Sequence, residues 1–374
     1  MNSIRNFVIQ GRGKNISMNN GSTNEKSLNA LRGIGACVIA FVWHYQHFGP
    51  QDGSPFYSLW PLFYQYGYAF VGLFFMLSGF GMVRGYEISI SENNISFTEY
   101  LKRRFKRLFP LLWVTLGVIT VLQFIYKFKM GTTFVYSGFD FYYFVLNVLG
   151  MQNGIFGTAY SFNGPAWCIS VCIFCYILFY IVVKCSIKLG NDRSCLYLGI
   201  GICGCALGVS GMYAPIFNGQ IAQGVSCFFI GAFLAKITRV CKVKLGYISI
   251  VCVLASWLLL RVSGIEIIGE NIVLMTTVWF APLTVLAVLY VPWLRSSFEW
   301  RAFQYLGKIS IDIYLWHFPI QCLIKIIDIY FNLHINYSCK ETWILYALCV
   351  LFVSAVYEKY AAPKLARAFD FLSS

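Results

Sequence analysis

The chain has 374 residues, of which 58% are hydrophobic, 18% aromatic and 12% charged, with a formal net charge of +14. Soluble domains carry roughly 25% charged residues, so a soluble globular protein is excluded: there is too little polar surface to cover domains of this total length. The basic excess comes without a charged recognition module, which argues against nucleic acid as a partner and leaves an integral membrane protein whose Lys and Arg sort by loop.

A hydrocarbon core about 30 Å thick needs roughly 20 apolar residues per helix. Taken in chain order, ten stretches qualify: 28–48, 66–83, 108–126, 165–183, 195–212, 218–235, 245–261, 271–291, 308–326 and 343–358. The sequence therefore predicts an all-α integral membrane protein of about ten transmembrane helices. An eleventh stretch, 139–151, is too short to span and carries Asp140 near its start, which predicts an interfacial or re-entrant helix before the fourth span. Residues 1–27 are polar and lack an apolar core, so no cleavable signal peptide is expected and the first helix acts as its own insertion signal. The expected organisation is a cytoplasmic N-terminal segment over 1–27, a membrane domain over 28–360 and a cytoplasmic tail over 361–374. No loop is long enough to hold a soluble catalytic domain, so any chemistry belongs to the helices or their short connections.

With ten spans, 23 of the 29 Lys and Arg fall on one side. The opposite side holds Lys127, Lys129, Arg261, Lys325 and Lys340, and Arg32 lies inside the first span. The asymmetry places both termini in the cytoplasm. Most of the fourteen cysteines lie in apolar spans or cytoplasmic loops and read as small apolar packing residues. Cys168, Cys172 and Cys175 recur at i, i+4 and i+7 on one helix face, but no His or carboxylate accompanies them, so no metal is expected. The run Gly199, Gly201, Gly204 has the spelling of a dinucleotide loop, yet it follows no strand and lies in a span, where close helix packing explains it.

Ionisable side chains inside a membrane are costly and mark functional candidates. They are Arg32, His44, His47, Asp312 and His317, with Arg104 and Arg107 at the cytoplasmic end of the third span. Arg32 lies about a turn into the first helix, and His44 lies about 18 Å further along the axis at 1.5 Å per residue. A neutral imidazole takes a proton from a hydroxyl near pH 7, as acyl transfer requires, and guanidinium forks bind phosphate. The competing explanation is a snorkelling Arg32 and an interfacial His44 among Trp43, Tyr45 and Phe48. For Lys102–Arg107 it is topology and anionic lipid, against a phosphate clamp by Arg104 and Arg107, three apart on one face. Asp312 needs a partner inside the membrane, for which Arg32 and Arg104 are the candidates.

Five segments together resemble the acyltransferase 3 family of multi-pass membrane O-acyltransferases. LNALRGIGACVIAFVWHYQHF (28–48) resembles its opening Leu-Arg-Gly helix that ends in a histidine, and GLFFMLSGF (72–80) its phenylalanine-rich element ending in Ser-Gly-Phe. RRFKRLFP (103–110) is similar to its Arg-x-x-Arg element, PAWCISVCIFCYILF (165–179) to its Trp-Ser-Leu-Ser-Val-Glu helix, and LGKISIDIYLWHFPI (306–320) to its late histidine helix.

The resemblance implies a ten-helix domain that takes an acyl group from cytoplasmic acyl-CoA, most simply acetyl-CoA, and places it on a hydroxyl of an envelope or extracellular polysaccharide or its lipid-linked precursor. Its partners would be the acyl-CoA, the glycan acceptor and the bilayer of the cell membrane, and a homo-oligomer is compatible with it. By position, Arg32 and His44 match the first-helix pair expected to be catalytic, while Arg32, Arg104 and Arg107 would hold the donor. His47, Ser78, Trp167, Ser170, Asp312 and His317 are the further candidates in these elements. Two departures stand out. The family leaves ten residues between the Arg and the His, whereas eleven intervene here, which rotates His44 by about 100° unless a local bulge absorbs the extra residue or His47 takes its place. The acidic residue of the Trp-Ser-Leu-Ser-Val-Glu element is Cys172 here and its second residue is Cys168, so that carboxylate is absent or moved. A transporter or flippase of a glycan precursor is the alternative class, but no paired internal repeat supports it.

Overall fold

The computed structural model describes residues 23–154, 160–189, 192–211, 218–238, 243–263 and 274–371. The basic N-terminal segment with Arg5, Arg12 and Lys14 lies outside them. Every described part of the ten apolar stretches falls largely in helix, and the described residues contain no strand beyond one isolated bridge between Gly138 and Ser161.

Helix α1 (Thr23–Cys37) runs on through a π-helical turn, Val38–Val42, and a 3₁₀ turn, Trp43–His47. The short α2 (Pro61–Tyr66) leads into α3 (Ala69–Ser91). Helix α4 (Phe97–Met130) begins where the Ser96 hydroxyl accepts the Glu99 N–H at 3.2 Å and ends at Gly131 in the left-handed conformation. Its 34 residues measure about 51 Å at 1.5 Å each, so the basic N-terminal part carrying Lys102–Arg107 extends beyond a bilayer core. Helix α5 (Phe141–Val148), capped by the Asp140 carboxylate on the Tyr143 N–H at 2.9 Å, is the expected short helix before α6 (Trp167–Cys185).

Then follow α7 (Ser194–Ser210), α8 (Gly219–Ile237), α9 (Val243–Ser263), a π-helical turn Thr276–Phe280 leading into α10 (Ala281–Tyr290), α11 (Pro292–Phe298), α12 (Arg301–Lys308), α13 (Ser310–Phe331) and α14 (Lys340–Val356). The stretch expected as a tail contains α15 (Ala362–Phe371). Among the described residues six helices are long and apolar enough to cross a membrane, and the bent pair Thr276–Tyr290 with Pro292–Phe298 makes a seventh if it is one span. The remaining expected spans are short, as in α7, or carry charges, as α13 does with Asp312, Lys325 and Asp328. Outward-facing apolar residues such as Val251, Leu254 and Val262 on α9 suit contact with lipid.

Without a hydrophobic drive between helices in lipid, small residues set how closely they approach. A Cβ on Gly79 of α3 would lie 1.9 Å from the Phe228 carbonyl oxygen, and one on Gly231 of α8 would lie 1.9 Å from that of Met76, so this crossing is built on a reciprocal glycine pair. Gly33 and Gly307 bring α1 against α12 in the same way. Gly201 and Gly204 seat α7 on Ile230 and Ser226 of α8, the close packing expected for that run. Cys175 packs beside Gly224 of α8 as an apolar filler.

The α3–α7–α8 seam also buries charge. Glu87 accepts from the Lys236 ammonium at 2.6 Å and the Tyr197 hydroxyl at 2.9 Å, with Arg193 at 3.6 Å. The side chains of Glu87, Lys236 and Arg193 are 3%, 7% and 1% exposed, so these two cations act as an internal lock rather than as solvated loop charge.

Candidate functional site

The end of α1 is wound in two unusual ways, and both shape the site. A π turn accommodates one residue more than an α turn, so Val38–Val42, lying between Arg32 and His44, takes up the eleventh intervening residue. His44 is thereby returned toward the face that the shorter family spacing would give. In the 3₁₀ turn that follows, residues i and i+3 eclipse, so His44 and His47 stack with ring centroids 4.9 Å apart and planes 18° from parallel.

Helix α13 supplies the third imidazole. His317 is fully buried, and its Nδ1 lies 2.6 Å from the Tyr314 carbonyl oxygen. A carbonyl only accepts, so Nδ1 carries the proton and Nε2 of the neutral ring is a lone pair. His44 Nδ1 lies 2.7 Å from that Nε2 and therefore donates to it. What remains is the His44 Nε2 lone pair, on a ring that lines a cavity of about 520 Å³.

Gln321, one turn beyond His317, orders His47 by the same logic. Its Nε2 donates to the His44 carbonyl at 2.8 Å, which turns its Oε1 toward His47 Nδ1 at 2.8 Å. His47 Nε2 faces the Tyr136 hydroxyl at 3.4 Å. Burial pushes the Tyr136 hydroxyl up from its ordinary value, so it stays protonated and donates. Of the two candidate bases, His44 is the one whose outer nitrogen has no hydrogen-bond partner among the described residues.

Tyr136 is aimed by strained backbone. Its N–H bonds the Phe134 carbonyl at 2.7 Å across Val135, a β-branched residue at φ 63°. The Gln123 amide holds Phe134 through both its N–H, at 2.8 Å, and its carbonyl, at 3.0 Å. A Cβ on Gly164 would lie 2.3 Å from the Tyr136 ring, so only glycine leaves room for it. Trp43, Tyr68, Tyr160, Trp167 and Tyr314 line the cavity with Gln46, Gln220 and Gln223, giving aromatic faces interleaved with amides.

The expected arginines lie along α3, toward its other end. Arg32 donates to the Leu77 carbonyl at 3.0 Å. Arg104 donates to the Tyr86 hydroxyl, lies 4.5 Å over that ring and approaches Met82. Between them Ser78 bonds the Tyr176 hydroxyl at 2.9 Å, and the Arg104 guanidinium sits 6.0 Å over the Tyr176 ring. Arg107 is exposed. Thus Arg32, Ser78 and Arg104 share one column, while His44, His47 and Trp167 line the cavity, with His317 buried against His44. Ser170 is buried on α6 with its hydroxyl unpaired.

The expected Asp312 pairing does not occur. Among the described residues Asp312 has no ion pair, and it lies on the α13 turn next to Lys308, which pairs with Glu358 at 3.0 Å instead. The Arg32 and Arg104 guanidinium groups are turned toward α3 by the Leu77 carbonyl and the Tyr86 hydroxyl. Sequence reasoning missed Gln321, Tyr136 and Glu87. Gln321 follows His317 by four residues on a helix, a spacing that puts both on one face, whereas nothing in a loop sequence points Tyr136 inward.

No group of three or more His, Cys, Asp or Glu side chains among the described residues is arranged to hold a metal. The chain matches the family model described as an acyltransferase domain over residues 25–356. No curated protein and no solved structure matches it.

Proposed function

The chain belongs to the acyltransferase 3 family, and from that membership we propose a membrane O-acyltransferase that moves an acyl group, most simply acetyl, from cytoplasmic acyl-CoA to a hydroxyl of an envelope or extracellular polysaccharide or its lipid-linked precursor. The observation that carries the proposal is the His44 ring at the cavity wall, its Nδ1 engaged by His317, an arrangement that leaves Nε2 as the nitrogen free to accept. It takes the proton of the acceptor hydroxyl as the oxygen attacks the thioester carbonyl. The new C–O bond forms, the C–S bond breaks, and the proton passes from His44 Nε2 to the departing CoA thiolate. A hydroxyl attacking without such a base would carry its proton into the transition state, so the imidazole contributes on the order of 10²–10⁴-fold in rate.

Arg32, Arg104 and Arg107 supply cations for the phosphates of the donor, and the pantetheine arm reaches from that column toward His44. The Arg104 guanidinium, stacked on Tyr86 with its Nε unpaired, is held ready for a further acceptor such as phosphate oxygen. Ten crossings with both termini in the cytoplasm of the cell membrane put the donor column inside and the histidines outside. Membranes containing the protein, given [14C]acetyl-CoA and a polysaccharide fraction, are expected to incorporate alkali-labile label. Uptake of the acceptor without acylation would oppose the proposal.

A further inference from the structure

A lone-pair nitrogen is useful only if the tautomer is fixed, and free imidazole does not fix it. We propose that His317 is a positioning residue that, held by the Tyr314 carbonyl, locks His44 with its proton on Nδ1 and so makes its Nε2 the base. The inference rests on the acyl-transfer reading for its activity arm only.

The order of the chain is forced from one end. The Tyr314 carbonyl cannot donate, so His317 Nδ1–H points to it at 2.6 Å. His317 Nε2 must then accept, and the group facing it at 2.7 Å is His44 Nδ1. The two rings lie within 12° of parallel, which aligns the N–H of one with the lone pair of the other. When His44 Nε2 takes the acceptor proton the ring becomes a cation, and its Nδ1–H bond to His317 becomes charge-assisted and stronger. In a Ser-His-Asp arrangement a carboxylate has this place. Here a neutral imidazole anchored on a main-chain carbonyl has it, in a buried setting where a carboxylate would be costly to ionise. Gln321 gives His47 a separate anchor, so the two outer histidines do not compete for His317.

The chain has four histidines, which makes the tautomers directly readable. The full-length protein labelled with ring-15N histidine in lipid nanodiscs is examined by NMR, with His44→Ala and His317→Gln used for assignment. We expect His44 and His317 to be protonated at Nδ1 in the unsubstituted protein. In His317→Asn, a short polar side chain that can still meet the Tyr314 carbonyl but cannot reach His44, the His44 signal is expected to move toward the Nε2–H form. In His317→Gln, whose Oε1 can accept from His44, it is expected to stay. Acetyl transfer from [14C]acetyl-CoA is expected to fall about ten- to a hundredfold in His317→Asn, in kcat with the KM for acetyl-CoA unchanged, and to stay within about tenfold in His317→Gln. His44 protonated at Nε2 in the unsubstituted protein, or a His317→Asn protein with unaltered His44 tautomer and rate, would overturn the inference. Transfer that survives His44→Ala would instead overturn the acyl-transfer role of His44, whatever the tautomers show.

Discussion

Removing the Glu87 carboxylate while keeping its shape, as Glu87→Gln, takes the counter-charge from two buried cations. Lys236 loses the carboxylate at 2.6 Å and Arg193 the one at 3.6 Å, where its Nη1 is buried with no hydrogen bond and depends on the ion pair alone. Breaking a buried pair by removing one partner costs about 3–5 kcal/mol, because an uncompensated charge is left in a low-dielectric site. At 1.4 kcal/mol per tenfold, that raises the unfolded fraction roughly 150- to 3,500-fold. The amide can still accept from Tyr197, so the loss comes from charge rather than shape. The assay is reversible SDS unfolding of the purified protein in mixed micelles, followed by tryptophan fluorescence. A companion protein with Glu87, Lys236 and Arg193 all replaced by methionine is expected to recover most of the loss, since an apolar substitute of similar volume needs no pairing. Glu87→Gln within about 1 kcal/mol of the unsubstituted protein, or a triple replacement no more stable than the single one, would refute the reasoning.

Other outcomes follow from the packing and from the donor column. Gly231→Ala forces a methyl to within 1.9 Å of the Met76 carbonyl oxygen and is expected to cost at least about 1–3 kcal/mol in the same unfolding assay. Arg104→Lys keeps the charge but loses the planar stack on Tyr86 and the fork, so the KM for acyl-CoA is expected to rise about tenfold or more in initial-rate assays while kcat changes little. Deleting Val38 removes the residue that the π turn absorbs, so an α turn is expected to re-form with His44 in register and transfer retained within about tenfold. Inserting an alanine there instead rotates His44 by about 100° and is expected to abolish transfer in the radiolabel assay.

How much was legible in advance differs by element. The described parts of the ten apolar stretches fall largely in helix because lipid leaves the backbone no other way to satisfy its polar groups, and hydropathy reads that directly. Arg32, His44 and His317 stood out because a titratable group is rare in such segments. The π turn at Val38–Val42 was visible only as a one-residue excess in spacing, since VIAFV has no composition that marks it. The Asp312 expectation failed because a sequence shows that a buried carboxylate wants a partner but not which direction its neighbours face. Tyr136 was out of reach because a γ-turn at Val135, a Gln123 clamp and the absent side chain of Gly164 jointly aim it, and those three positions lie in three separate segments. Glu87 was overlooked because Arg193 and Lys236 look like loop charges until α3, α7 and α8 are packed together.

The central claim is that His44 accepts the proton of a hydroxyl during acyl transfer from acyl-CoA. Its most direct test is the initial rate of alkali-labile label transfer from [14C]acetyl-CoA to polysaccharide, compared between the purified protein and its His44→Ala variant at matched folded amounts in nanodiscs. We expect transfer by the unsubstituted protein and a fall of on the order of 10²–10⁴-fold in the variant. Equal rates for the two proteins, or no transfer to any hydroxyl acceptor by the unsubstituted one, would contradict the claim.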